Sequence, residues 1–270
     1  MNRVIRFLVK GSAFLTFGIL FFIISYILIR GIPYLNLSLF EIKYTTSNVS
    51  LFPAMITTII LILLTLLVAT PIGVFTGFYL VEYAKKGNKF VEVIRIATET
   101  LSGIPSIVYG LFGMLFFVIQ LGFQYSLLAG TLTAAIMVLP LIIRSTEEAL
   151  LSVDVSLREA SFGLGAGKVR TIFKIVLPVA MPGILSGVIL SIGRVIGETA
   201  ALLYTLGTAT KIPNGLFSSG RTLALHMYLL STEGLHVNES YATGVILLLV
   251  VLIINGLSTY LSNKLTKGSL

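Results

Sequence analysis

Six apolar runs, each about long enough to cross a bilayer as a helix, constrain this chain more than any other feature. They lie at about 12–30, 53–80, 104–122, 126–143, 176–205 and 241–262. A helix needs about 20 apolar residues to cross the hydrocarbon core, where peptide groups must find their hydrogen bonds inside the protein. Only 11% of the residues are charged, against about 25% in a soluble domain. We therefore predict an all-α membrane protein with six transmembrane helices.

Lysine and arginine set the predicted orientation. With the N-terminus inside, 14 of the 19 Lys and Arg residues lie in inner segments and four lie in outer loops. Cytoplasmic loops of membrane proteins carry the excess of basic residues. Both termini are therefore predicted to be cytoplasmic, as an even number of spans requires. The net charge of +8 follows from the same bias and gives no reason to expect nucleic-acid binding.

This topology divides the chain into three parts. Residues 1–51 are predicted to form the first transmembrane helix and the first external loop. Residues 52–262 form a five-helix transmembrane domain with a large inner loop at 144–175, and residues 263–270 form a cytoplasmic tail. The first helix follows a basic segment, as in a signal peptide. Because it is long enough to span and no cleavage site follows, we predict an uncleaved anchor.

The second external loop, 206–240, is too long to be a plain connector. Its apolar portion, Gly220–Leu230, is predicted to lie on or dip into the membrane surface. His226 and His236 lie in this loop without any metal-ligand pattern, so no metal site is predicted. The absence of cysteine also excludes disulfides and thiolate metal sites.

The inner loop has the pattern of a helix, a glycine turn and a second helix. Ser156 and Glu159 have the spacing of a capping box, which predicts a helix beginning at Leu157. The glycine cluster at 163–167 predicts a turn. Helical spacing then predicts a second helix with an apolar stripe at Val169, Ile172, Phe173 and Val176.

The glycine cluster is not a nucleotide-binding loop. A P-loop needs glycine where Phe162 stands and serine or threonine where Val169 stands. A dinucleotide-binding fingerprint needs a preceding strand, and the preceding residues favour a turn and a helix. We therefore predict that this chain binds no ATP and no other cofactor.

The same loop resembles the EAA loop of ABC-importer permeases. Glu159, Ala160 and Ser161 are followed after three residues by Gly165, and nine residues later by Ile175–Pro178. Ser161 stands where the family pattern has its second alanine. The resemblance implies a type I ABC-importer permease fold, and it implies that these residues dock into a separate ATPase subunit that binds the ATP. Without docking, Glu159 would be only a helix cap and Gly165 only a turn residue.

Three further segments resemble phosphate ABC permeases of the PstA and PstC type: Gly103–Leu111, Leu139–Ala149 and Gly193–Ala200. The resemblance covers about Leu51–Leu261, and the short first external loop is closer to PstA. It implies a prokaryotic inner (cytoplasmic) membrane protein surrounded by lipid. The implied partners are a PstC-like sister permease, a dimer of PstB-like ATPase subunits and a PstS-like external phosphate-binding protein.

Arg194 and Glu198 form a charged pair at i, i+4 inside the fifth apolar run. A charge at the bilayer centre costs about 2.5–3.5 kcal/mol on insertion scales, and such residues usually face a bundle interior or a water-filled path. The planar guanidinium of arginine suits phosphate oxygens. We predict that Arg194 contacts the substrate and that Glu198 pairs with it when the path is empty. Small residues are predicted to share this helix face, namely Gly183, Gly187, Ala201 and Thr205, together with Leu190.

Arg144 and Glu147, at the inner end of the fourth run, are predicted to form a second pair at the inner mouth of the pathway. The alternative is that Arg144 only marks the membrane boundary. Close helix packing is predicted at three G-x-x-x-G pairs, Gly73/Gly77, Gly183/Gly187 and Gly193/Gly197.

The chemistry of Arg194 leaves the substrate open, because sulfate or molybdate would suit the same side chain. A channel or an ATP-independent carrier is a second alternative, against which stand the EAA spacing and the lack of clear repeat symmetry. An intramembrane enzyme is the third, but no H-E-x-x-H, G-x-S-x-G or paired intramembrane aspartate occurs. We therefore predict a non-catalytic transport subunit.

Overall fold

The computed structural model describes residues 3–85 and 87–267, and every regular element in this part of the chain is helical. The prediction of an all-α fold is thus confirmed. The α-helices are α1 (Arg3–Gly31), α2 (Phe52–Phe78), α3 (Lys89–Ser102), α4 (Ser106–Gly113), α5 (Leu127–Leu151), α6 (Val155–Gly163), α7 (Lys168–Thr171), α8 (Leu177–Ile196), α9 (Ala200–Leu203), α10 (Leu223–Glu233) and α11 (Val237–Lys267). Short 3₁₀ turns follow α1 at Ile32–Tyr34 and Leu37–Phe40, and π-helical segments continue α2, α4 and α7 at Tyr79–Tyr83, Met114–Gln120 and Ile172–Val176.

Among the described residues, five continuous helices are long and apolar enough to cross a membrane. They are Val4–Tyr34, Phe52–Tyr83, Leu127–Leu151, Lys168–Ile196 and Val237–Lys264. A sixth span results only if Lys89–Ser102 and Ser106–Gln120 are taken together, and these two helices meet at an angle of 106°. The predicted third span at 104–122 is therefore wrong as a simple crossing helix. It is one arm of a bent pair whose other arm, α3, was not predicted.

Local hydrogen bonds explain the bent pair. The side chain of Asn88 accepts a hydrogen bond from the N–H of Phe90 at 2.9 Å, which caps the start of α3. Pro105 ends the helix, because proline disfavours helical backbone in the residue before it. Across the bend, the Tyr109 hydroxyl donates to the carbonyl of Leu101 at 2.6 Å. This carbonyl at the end of α3, which also accepts from the N–H of Ile104 at 3.2 Å, thereby gains a second hydrogen bond inside the protein.

The helix α5 is the centre of the bundle and packs between α2 and α8. Two of the predicted G-x-x-x-G pairs allow this close approach, because Gly73 and Gly77 face α5 from α2, and Gly183 and Gly187 face it from α8. A Cβ atom on Gly77 would lie 2.6 Å from the Cγ2 atom of Thr146. The prediction of close packing is confirmed for both pairs.

The third pair, Gly193 and Gly197, does not follow the prediction. A Cβ atom on Gly193 would meet no atom within 4 Å, and one on Gly197 would meet only a carbonyl of its own helix. The helix also ends at Ile196 and begins as far back as Lys168. The predicted fifth span at 176–205 is therefore wrong at both ends, and the predicted single face from Gly183 to Thr205 does not form.

The ends of the bundle can be told apart by their contacts. Gly31 at the end of α1 lies against Tyr241 near the start of α11, so these helices run antiparallel. The described ends of the chain consequently lie at one end of the bundle, which also carries α6 and is called the loop end. Residues 263–267 of the predicted tail continue α11, and residues 268–270 lie outside the described part.

The other end, called the far end, contains α10. The segment Gly220–Leu230 contains most of α10, which packs against α11 and α2 with Leu223 and Leu225 fully buried. That it lies on or dips into the membrane surface stays a prediction. The N–H of Leu223 donates a hydrogen bond to Oγ1 of Thr58 at 2.9 Å. His226 is also fully buried on this helix. In the described part of the chain, no cluster of three His, Cys, Asp or Glu side chains has metal-binding geometry.

The tight contact at Gly77 predicts a loss of stability on substitution. Gly77→Ala should destabilise the protein by about 1–3 kcal/mol, because the new methyl group overlaps Thr146 between two packed helices. Gly18→Ala is the matched control, since a Cβ atom at Gly18 in α1 meets nothing within 4 Å. Thermal unfolding of the purified protein in detergent measures both effects. Equal midpoints for the two variants would contradict the packing described for α2 and α5.

The buried His226 predicts a pH dependence of stability. Burial, together with the charge of Arg221, lowers the pKa of His226 from 6.5 to about 3. Below pH 6.5 the unfolded chain therefore takes up a proton that the folded chain does not, so the free energy of unfolding falls as the pH falls toward 3. His226→Leu should flatten the fall between pH 6.5 and 5, where one site contributes at most about 1.4 kcal/mol per pH unit. If the unfolding midpoints of wild type and His226→Leu depend on pH in the same way, the lowered pKa of His226 is contradicted.

Candidate functional site

Arg194 lies in the last turn of α8, about halfway along the neighbouring helix α5. The antiparallel contacts fix this level: Gly187 lies against Ser145, and Leu206, beyond the end of α8, lies against Gly130. Arg194 lies between these two contacts in sequence. A position near the middle of α5 is also near the middle of the membrane-spanning bundle.

The guanidinium of Arg194 is partly buried. Within residues 3–85 and 87–267 it makes no hydrogen bond and no ion pair. Because it lies at the C-terminal end of α8, the helix dipole stabilises its charge by about 0.3–1 kcal/mol. Arg194 is thus a partly buried cation near the middle of the bundle, without a hydrogen bond or ion pair in the described part of the chain.

The predicted pairing of Arg194 with Glu198 is wrong in this structure. The helix ends at Ile196, so the two residues are not one turn apart on a continuous helix. Glu198 is only 7% exposed, and its Oε1 atom accepts a hydrogen bond from the N–H of Ala201 at 2.9 Å. The carboxylate therefore satisfies a backbone donor at the start of α9 and holds the interruption of the helix at 197–199.

The interrupted segment packs closely on α4. A Cβ atom on Gly110 would lie 2.8 Å from the Cα atom of Ala201. Next to this contact is a cavity of about 560 Å³, bordered by Thr199, Tyr204 and Tyr228 among others, with no charged side chain in its lining. The cavity offers hydroxyl groups and apolar surface, and Arg194 is not part of its lining.

The predicted pair of Arg144 and Glu147 is also wrong. Arg144 Nε lies 3.0 Å from Oε1 of Glu148, one turn away, and both side chains are mostly exposed. Glu147 pairs instead with Arg95 of α3, at 2.6 Å between Nη2 and Oε1. The four charged residues nevertheless lie together at the loop end.

A small cavity of about 190 Å³ lies in this charged cluster. It is lined by Leu80, Arg95, Thr98, Glu99, Arg144 and Glu147. Arg95 and Glu99 were missed from the sequence because α3 was not recognised as a helix. The amphipathic spacing of α3, with Asn88 as its cap, was the signal that could have found them.

The loop with the EAA pattern forms a short helix and a glycine turn. The helix α6 begins at Val155, two residues before the predicted start, because Asp154 and not Ser156 is the cap. The Asp154 carboxylate accepts a hydrogen bond from the N–H of Ser156 at 2.8 Å, which lowers the pKa of Asp154. Gly165 has φ of +82°, so the predicted turn requires the left-handed backbone that glycine adopts readily.

The four residues of the EAA pattern divide into an exposed and a buried set. Glu159, Ala160 and Gly165 are exposed. Ser161 is buried, and its hydroxyl is hydrogen-bonded to the hydroxyl of Thr171 at 2.8 Å. The departure from the family pattern thus adds a polar contact that joins α6 to α7. Of the predicted apolar stripe, Ile172 and Val176 are buried, whereas Val169 and Phe173 are exposed.

Comparison with known proteins identifies the family. Residues 69–267 match the family described as binding-protein-dependent transport system inner membrane component. The chain is 34% identical over 268 residues to the probable ABC transporter permease protein YqgI of Bacillus subtilis (strain 168), which covers 93% of this chain and 91% of that protein. It is 41% identical over 188 residues to the phosphate transport system permease protein PstA of Mycobacterium leprae (strain TN), which covers 69% of this chain and 61% of that protein.

Solved structures agree on the fold. The bacterial alginate ABC transporter, in complex with its alginate pentasaccharide-bound periplasmic protein, matches with a TM-score of 0.69 at 16% identity, over 98% of this chain and 97% of that chain. The inward-facing MetNI methionine ABC transporter matches with a TM-score of 0.61 at 20% identity, over 80% and 94% of the two chains. At these identities the similarity shows the fold alone, and the predicted type I ABC-importer permease fold is confirmed.

The relatives are permease subunits, so this chain is a multi-pass transport subunit and not an enzyme. The chain belongs to the family of inner-membrane permease components of binding-protein-dependent ABC importers.

Proposed function

We propose that this chain is a permease subunit of an ATP-driven importer that moves inorganic phosphate across the cytoplasmic membrane. Arg194 carries the proposal, because it offers an anion a permanent positive charge about halfway through the bundle, without an acidic partner among the described residues. Similarity to proteins named phosphate transport system permease, at 39–41% identity in mycobacteria, supports phosphate as the anion.

An unpaired guanidinium suits passage better than a tight pair would. The donors of Arg194 can form charge-assisted hydrogen bonds with phosphate oxygens. A single arginine binds an anion with few contacts, so the anion can leave again. Glu198, which caps α9, is proposed to hold the helix interruption that brings Arg194 to the pathway.

The charged cluster at the loop end is proposed to line the inner mouth. Arg95 and Arg144 are each paired with a glutamate there, so their charges are largely compensated. An anion that reaches this level meets positive groups without being held by an unpaired one. The cluster therefore suits release into the cytoplasm better than binding.

A sister permease is proposed to complete the pathway. The exposed residues of α8 are Val179, Pro182, Ser186 and Leu190, and Cβ atoms on Gly193 and Gly197 would meet no other helix of the described part of this chain. Small residues let two membrane helices approach closely. The third G-x-x-x-G pair, which packs against nothing here, is accordingly proposed to contact the PstC-like partner.

The exposed loop is proposed to receive the ATPase dimer. Leu164 is 90% exposed at the turn, and Glu159 and Gly165 lie on the same open surface. Closure of the ATP-bound subunits would move α6 and open the pathway toward a PstS-like binding protein, and hydrolysis would reset it. This chain supplies the path and the moving loop, and the ATPase supplies the chemistry.

Removal of the Arg194 charge should abolish transport. Arg194→Gln is expected to reduce uptake of radiolabelled phosphate by about 10- to 100-fold, since hydrogen bonds to charged groups are worth about 1.5–3 kcal/mol. Co-purification with the ATPase checks that the variant complex assembles. Arg30→Gln, at the far end of α1, is the matched control and should transport normally. Normal uptake by the Arg194 variant would refute a role in the pathway.

Competition between labelled phosphate and unlabelled anions tests which anion the complex transports. Unlabelled phosphate should inhibit uptake of labelled phosphate by the wild-type complex, whereas excess sulfate or molybdate should not. Inhibition by sulfate or molybdate at equal concentration would assign the same architecture to another oxyanion.

A charge on the glycine turn should prevent coupling. Gly165→Asp is expected to lose co-purification with the ATPase, or to lower ATP-driven uptake by at least about tenfold, because it places bulk and charge on the docking surface. Gly87→Asp is a closely matched control, since Gly87 also has φ of +82° and open space around it but lies between α2 and α3. If both variants assemble and transport alike, the ATPase does not dock at Gly165.

A further inference from the structure

The helix α6 carries a largely buried side chain, Arg158, that contacts two other parts of the chain. Its Nε and Nη2 atoms lie 3.3 and 3.0 Å from the Oε1 atom of Glu82, a residue 76 positions away. Its Nη1 atom donates to the carbonyl of Val153 at 2.7 Å, and Nη2 donates to the carbonyl of Leu150 at 2.8 Å. One guanidinium thereby connects three parts of the chain: the end of α2, the end of α5 and α6.

This ion pair differs from the others at the loop end in its burial. The side chains of Arg158 and Glu82 are 17% and 11% exposed, whereas those of Arg144 and Glu148 are 63% and 66% exposed. An exposed pair contributes little to a fixed geometry. A shielded arginine with several fixed acceptors has a defined position and direction.

A second contact holds the same segment from the other side of the loop. The Lys168 ammonium donates to the backbone carbonyl of Glu82 and lies 4.6 Å from the ring centroid of Tyr83. Lys168 begins the helix that continues as the fifth span. The two helices that flank the glycine turn, α6 and α7, therefore both contact the same π-helical segment, Tyr79–Tyr83.

The π-helical geometry of that segment fits a place that moves. Single π-helical turns occur frequently at functional sites, because their hydrogen bonds differ from those of the α-helix on either side. Apolar packing also joins this region, through Leu150, Val153 and Val176. Close-packed apolar contacts also transmit strain, and the charged contacts add fixed hydrogen-bond directions between α6 and the two spans.

Adjacent residues of α6 thus have opposite orientations. Glu159 is exposed, on the surface where the ATPase is proposed to dock, while Arg158 points into the protein. We propose that Glu82 and Arg158 are positioning residues that transmit the movement of the docked loop to the second and fourth spans. This inference rests on the ATPase coupling in the proposed function, but it does not depend on phosphate as the substrate.

The test compares transport with ATP hydrolysis in the same complex. The assembled importer is reconstituted in proteoliposomes with its binding protein, and anion uptake and ATP hydrolysis are measured for wild type and Glu82→Gln. The variant should hydrolyse ATP at a rate within about twofold of wild type but should consume at least about fivefold more ATP per anion transported. Glu92→Gln on α3 is the matched control, because Glu92 is exposed at the same end of the bundle, and its ratio should be unchanged.

The reversed pair, Glu82→Arg combined with Arg158→Glu, should restore at least part of the lost coupling. An unchanged ratio of ATP to transported anion in Glu82→Gln would overturn the proposal. If neither Glu82→Gln nor the reversed pair assembles, the residues serve folding and the proposal is also overturned. Failure of the proposed function is recognised separately, because the wild-type complex would then show no ATP-driven phosphate uptake.

Discussion

Peptide groups within a bilayer must find their hydrogen bonds inside the protein, and this constraint decides where the chain can interrupt its helices. Two interruptions occur in its apolar part, and each is satisfied from within. At the bend between α3 and α4, the Tyr109 hydroxyl donates a hydrogen bond to the carbonyl of Leu101. After the end of α8, the Glu198 carboxylate accepts a hydrogen bond from the N–H of Ala201. Such interruptions are tolerated where they are buried in protein or line a cavity. Arg194 lies one turn before the second interruption, and this is why we place the substrate pathway there.

In the proposed function, the group that contacts substrate lies apart from the groups that transmit motion. In the described part of the chain, Arg194 lies near the middle of the bundle and makes no hydrogen bond or ion pair. The loop end holds compensated pairs, among which Arg158 and Glu82 are the shielded ones. We propose that a partner's movement at the exposed Glu159 reaches the spans through these fixed contacts, without charged groups having to move through the apolar core.

The sequence predicted the spans better than their ends and interruptions. Apolar length found five helices, because a crossing helix must be long and uncharged. It missed α3, whose charged residues Glu92, Arg95 and Glu99 make it amphipathic. The predicted fifth span also extended past Ile196, where the helix ends. A single glycine such as Gly197 is a weak signal for a helix end. Charge pairing was predicted from spacing alone, but i+3 and i+4 neighbours are both within reach on a helix. Contact with Arg95, distant in sequence, determines that Glu147 turns away from Arg144.

The central claim is that Arg194 is a waypoint for an anion crossing the membrane. A structure of the complete importer, trapped with phosphate during transport, measures this most directly. We expect phosphate density within hydrogen-bonding distance of the Arg194 guanidinium, in a path shared with the sister permease. A structure in which Arg194 faces lipid, or packs away from any continuous path while phosphate crosses elsewhere, would contradict this account.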